Sequence, residues 1–148
     1  MKLVTLAALA AVSSVAWAQS DENLPQAEQS LPMNRPVSVN GITAECTGIA
    51  HSGDDSTPDG FPVRVEFAND RGEYTAGADV TVSRSDGRPI AQFGCPANWV
   101  LLGGLPPEEY KVTATIAPGP GGTESARFRP PERGHERVVL HFTSPAAD

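Results

Sequence analysis

The sequence predicts an all-β fold, an antiparallel β-sandwich of seven to nine short strands, and three observations carry that prediction. Gly and Pro, 14 of each in 148 residues, interrupt the chain too often to leave room for helices of ten or more residues. Between these interruptions apolar residues alternate with polar ones, the pattern of a strand with one buried and one wet face. Val63, Val65 and Phe67 alternate in this way with Arg64 and Glu66. Asn40-Gly41, Asn69-Asp70-Arg71-Gly72 and Asp86-Gly87 then supply turn chemistry between the runs. The length suits one domain with a real core.

Residues 1–18 read as an export signal. Lys2 is followed by an apolar run from Leu3 to Val15 and by Ala16-Trp17-Ala18, so cleavage is expected after Ala18. A membrane span needs about 20 apolar residues, and Ser20, Asp21 and Glu22 stop this run short. No membrane span is expected after cleavage. Residues 19–36 have no apolar periodicity, contain Pro25, Pro32 and Pro36, and read as a disordered or extended linker. The sandwich domain is expected over residues 37–148.

Within that domain, Val37 to Ala50 offers the first strand material, folded about Asn40-Gly41. His51 to Gly60 is composed of small, polar and breaker residues and reads as a loop. Val63 to Phe67, Val80 and Val82, and Ile90 to Phe93 follow as strands. Asn98 to Ile116 holds the densest apolar material, two strand-like runs joined by Gly-Gly-Leu-Pro-Pro. In the second run Tyr110, Val112, Ala114 and Ile116 face the core, with Lys111 turned outward. Ala126 and Phe128, then Val138, Leu140 and Phe142, complete the pattern.

The order of these segments resembles a known family. Gly72-Glu73-Tyr74, Ala78-Asp79-Val80-Thr81-Val82, Asp86-Gly87, Trp99-Val100-Leu101-Leu102, Leu105-Pro106-Pro107 and Tyr110-Lys111-Val112-Thr113-Ala114 are similar to carboxypeptidase regulatory-like domains, which are transthyretin-like (prealbumin-like) β-sandwiches. The likeness is to small exported bacterial versions made of that domain alone. It covers about Thr43 to Phe142, with Cys46-Thr47-Gly48-Ile49 resembling their glycine-rich opening. Where such domains carry Gly two residues before the tyrosine, this chain has Glu108. The resemblance implies a non-catalytic folding or docking module, with no catalytic residues and no cofactor.

Charge narrows the partners. The net charge is -7, and only Lys111 among the lysines lies beyond the leader, so phosphate neutralisation is poor and no nucleic-acid binding is expected. Gln19 to Gly60 carries seven acids against Arg35 alone, which makes it a solvated arm or an acidic docking segment. Cys46 and Cys95 are the only cysteines. In an exported chain they are expected to pair, the alternative being two free buried thiols. His51, Asp54, Asp55 and Asp59 crowd one loop with metal-ligating atoms, but their spacing fits no EF-hand loop and no His-x-x-x-His element, and no metal site is assigned. His135 and His141 read as surface or rim residues. No Gly-x-Ser-x-Gly turn occurs. The expected function is that of a periplasmic or secreted accessory module, non-catalytic, binding an envelope protein, peptide or glycan. The alternatives are a small hydrolase or metal-binding protein built on the His51 to Asp59 loop, and a structural envelope protein.

Overall fold

The computed structural model describes residues 30–48, 57–116 and 122–143. The expected leader and most of the expected linker lie outside these residues, as do His51, Asp54 and Asp55. Among the described residues nine strands form two sheets. The five-stranded sheet contains β1 (Val37–Val39), β2 (Ile42–Thr47), β6 (Trp99–Gly103), β3 (Val63–Asn69) and β9 (Glu136–Phe142), in that spatial order. The four-stranded sheet runs β5 (Pro89–Cys95), β4 (Ala78–Arg84), β7 (Tyr110–Ile116), β8 (Thr123–Phe128). The expected β-sandwich is what forms, with one departure: β9 lies parallel to β3, while every other ladder is antiparallel. The connection after Phe128 carries the chain from the four-stranded sheet to the five-stranded one, so no hairpin forces β9 to run antiparallel to β3.

The turns follow their chemistry. Asn40 and Gly41 both adopt positive φ, 49° and 83°, as a two-residue hairpin between twisted strands requires. Asn69 Oδ1 accepts the amides of Arg71 and Glu73 at 3.0 and 2.9 Å, which folds the chain back after β3. The bend before β7 is closed by Glu108 N donating to Pro106 O at 2.8 Å. Glu108 keeps negative φ there, so this turn needs no glycine.

Between the sheets the core is built from the alternating positions: Val63, Val65 and Phe67 of β3, Val100 and Leu102 of β6, Val80 and Val82 of β4, Tyr110, Val112 and Ala114 of β7. Tyr110 is buried and stacks on Phe128, while Lys111 is exposed, as the alternation predicts.

A disulfide joins Cys46 of β2 to Cys95 of β5, tying one sheet to the other. Beside it runs the end of the segment expected as a linker. Within it, Leu31 and Asn34 are tied to the sandwich. Leu31 is buried, its amide donates to Gly94 O at 2.9 Å, and Asn34 N donates to Cys46 O at 2.8 Å. The apolar Leu31 inside a polar, proline-containing stretch is the residue that holds it down. The same short strap thus contacts both sheets.

Two outcomes follow. The disulfide spans 49 residues, so its loss relaxes the unfolded chain by ~4 kcal/mol in a chain-entropy estimate. Calorimetry with and without reductant should therefore show a melting temperature lowered by well over ten degrees for a domain of this size. Separately, a Cβ at Gly103 would run into the backbone carbonyl of Gly60. Gly103→Ala should cost about 1 to 3 kcal/mol of stability, read in a denaturant melt, because backbone must move to admit it.

Candidate functional site

The outer face of the five-stranded sheet departs from the expected pattern. Alternation places Arg64, Glu66 and Ala68 of β3 on that face, where solvent is expected. Glu66 is instead fully buried, and Arg64 is only 13% exposed. Next to β3, Trp99 and Leu101 of β6 occupy the same face and are also buried. The sheet therefore carries a second, smaller packed layer on its outside.

Its geometry follows from the ladders. Glu66 stands opposite Trp99 on one side and Val139 on the other, and Arg64 stands opposite Arg137. Two like charges directly across a ladder repel. Glu66, one step along the same face, resolves this by taking both. Arg64 Nε donates to Glu66 Oε2 at 3.2 Å. Arg137 grips the carboxylate bidentately, Nε to Oε2 and Nη2 to Oε1, the latter at 3.1 Å. The Tyr74 hydroxyl donates to Oε1 at 2.7 Å. Tyr74 arrives by the Asn69 turn, which bridges it to Ala68, while Thr75 N donates to Phe67 O at 2.9 Å.

Aromatic contacts complete the cluster. The Arg64 guanidinium lies over the Trp99 ring, 4.3 Å from its centroid, and Tyr74 meets that ring edge-on at 6.0 Å. Arg64 Nη1 also donates to Thr57 Oγ1 at 3.4 Å. Trp99 Nε1 and Asn98 Oδ1 are buried and have no hydrogen-bond partner among the described residues.

Burial pushes the Glu66 carboxyl upward, but hydrogen bonds from Arg137 and Tyr74 and the charges of Arg64 and Arg137 outweigh it. The net effect holds Glu66 below its ordinary value. Its hydrogen bond to Glu66 raises Tyr74, with burial adding to it, and the separate hydrogen bonds from Arg137 to Glu66 raise Arg137. At neutral pH the Glu66 carboxylate is ionised between the Arg64 and Arg137 guanidinium groups.

The previously singled-out residues lie elsewhere. Cys46 and Cys95 are joined, as expected. Asp59, Glu132, Arg133 and His135 line an open hollow of about 400 Å³ at the end of the sandwich where β9 begins. His135 Nδ1 lies 3.0 Å from Phe61 O, and both His135 and His141 are exposed. Among the described residues no group of three or more His, Cys, Asp or Glu is arranged to hold a metal ion. Sequence reasoning missed Arg64, Glu66, Tyr74 and Arg137 as a unit. The one available signal was Arg64-Val65-Glu66, two opposite charges on one strand face, and its completion needs the β3 to β9 register.

No family model matches the chain, and none of the curated proteins does. Among solved structures, it is similar to the Caf1A usher C-terminal domain, described for conserved surface hydrophobic clusters important for F1 antigen assembly. The two share 17% identity over 55% of this chain and 94% of that one, with a TM-score of 0.36. Among the described residues no helix is long and apolar enough to cross a membrane.

The ion cluster makes stability depend on pH in a definite direction. A carboxyl whose folded pKa is lowered contributes stability that is complete above its unfolded pKa and lost as pH falls through the folded one. The ordinary value is about 4.5. Melting temperature should therefore fall below that pH, and Glu66→Gln should remove this contribution. At pH 7 the substitution should cost roughly 2 to 4 kcal/mol, toward the lower end of what breaking a buried pair costs, because Arg137 reaches water. The gap between variant and wild type should shrink as the solution is acidified, which paired thermal melts from pH 7 to pH 3 will show.

Proposed function

We propose that this chain is an exported, non-catalytic accessory module of the cell envelope, of the carboxypeptidase regulatory-like, transthyretin-like kind. It binds its ligand on the outer face of the five-stranded sheet, at the platform formed by Tyr74 and Arg137. The observation that carries the reading is the buried Glu66 carboxylate. A carboxylate that is fully desolvated costs stability unless its bonds are complete, and here its partners are side chains that reach the surface: Arg137 at 58% exposure and Tyr74 at 39%. Glu66 thereby fixes the rotamers of two exposed recognition groups. Fixed groups lose little conformational freedom on binding, and Tyr and Arg dominate the energetic centres of interfaces. The family resemblance of the motif order supports a docking role, and the Cys46–Cys95 bond suits an oxidising compartment.

The test is capture from envelope extract by the immobilised protein and by the Tyr74→Ala, Arg137→Gln double variant. A component retained by wild type should be lost from the double variant while the variant keeps its β-type circular dichroism and its disulfide. Equal retention by both would move the binding surface away from this face.

A further inference from the structure

We infer that residues 30–34 form a strap that gates the Cys46–Cys95 disulfide, so that a dithiol reductant reaches the bond only when the strap lifts from the sandwich. Both cysteines are closed to solvent, at 0% and 1% exposure. Exchange needs direct contact with a sulfur. The attacking thiolate forms a mixed disulfide with one cysteine and frees the other as a thiolate, and the second thiol of the reductant then breaks the mixed bond. Each cysteine sulfur gains one electron and one proton from the dithiol, which leaves as its own disulfide.

The cover over the bond comes from two places. The connection from β5 to β6 supplies part of it: Ala97 N donates to Cys46 Sγ at 3.3 Å, and Trp99 O lies 3.3 Å from Cys95 Sγ. That connection is anchored by a strand at each end and cannot leave while the sheets persist. The strap runs along both cysteine strands. Ser30 bridges to Gly94, beside Cys95, and Met33 bridges to Cys46 itself. Leu31, between the two bridges, is 2% exposed and belongs to the same buried cluster as both cysteines.

Of the two covers the strap is the one that opens. Its backbone ties are Leu31 N to Gly94 O and Asn34 N to Cys46 O, and Pro32 between them has no amide to donate. Met33 and Asn34 are exposed, and the bond from Thr47 Oγ1 to Asn34 Oδ1, at 2.7 Å, faces solvent. A segment held by one apolar side chain and a few exposed hydrogen bonds opens at a cost well below that of the whole domain. β5 is also the edge of its sheet, and among the described residues no other backbone pairs with that edge. Lifting the strap therefore bares the strand beside Cys95. Any event that draws residues 30–34 off the sandwich makes the bond reducible, which turns this N-terminal segment into a control on the redox state of the domain.

The experiment measures the rate at which dithiothreitol reduces the folded, oxidised protein under native conditions, read by alkylation and mass of the released cysteines. Leu31→Ala should raise the rate by about 30-fold or more, the low end of a buried leucine truncation. Thr47→Val, which removes the exposed tie to Asn34 and leaves the core alone, should raise it about 2- to 10-fold, and keeps the test open where Leu31→Ala does not fold. Val138→Ala lowers global stability from β9, at the opposite edge of the sheet from the strap, and should leave the rate unchanged. Low urea should barely alter the wild-type rate, because strap opening exposes little surface. Equal acceleration by Val138→Ala and the strap variants, with a steep dependence on urea, would place reduction in the globally unfolded chain and overturn the gate. An unchanged rate in a strap variant that folds would overturn it as well.

Discussion

Strand β6 is buried on both faces, and much of the molecule answers to that requirement. Inward, Val100 and Leu102 meet the opposite sheet in the ordinary way of a sandwich. Outward the described residues supply no third layer of secondary structure, yet Trp99 and Leu101 are covered. Cover comes from pieces that would otherwise be loop or surface: the Tyr74 turn, the Arg64 side chain and the Gly60 to Phe61 approach over Gly103. Each is fixed by a specific contact, since short segments have little apolar area with which to hold themselves.

That cover explains why an acid is tolerated in the middle of a packed surface. Trp99 removes water from the neighbouring position on β3, and Glu66 occupies it. An isolated carboxylate there would be neutralised or expelled. Two arginines and a tyrosine keep it ionised. Such ion clusters add little net stability over an apolar replacement, because desolvation offsets much of the attraction. What the cluster does is set geometry: the position of every member is determined by the others.

The strand pattern and the core were legible in the sequence because period-2 alternation and turn residues are local. Val63 to Phe67, Tyr110 to Ile116 and the Asn40-Gly41 hairpin follow from neighbours a few positions away. The disulfide was legible from two cysteines lying beyond an export-type leader. The site was not. Alternation assigns Arg64 and Glu66 to a wet face, and only the pairing of residues 63–69 with 136–142 shows why that face is dry. Leu31 was missed for a related reason: one apolar residue among prolines and glutamines has no period, and its pocket is made by distant parts of the chain.

The parallel pairing of β9 with β3 is a non-local closure that the outer layer depends on. Contacts separated by some seventy positions close late, since the chain must lose loop entropy before they form. Until the C-terminal strand docks, Arg137 is absent and the carboxylate of Glu66 has half its cationic neighbours. Desolvating it at that stage is unfavourable. The outer layer over Trp99 is therefore complete only once β9 has docked and brought the second arginine to Glu66.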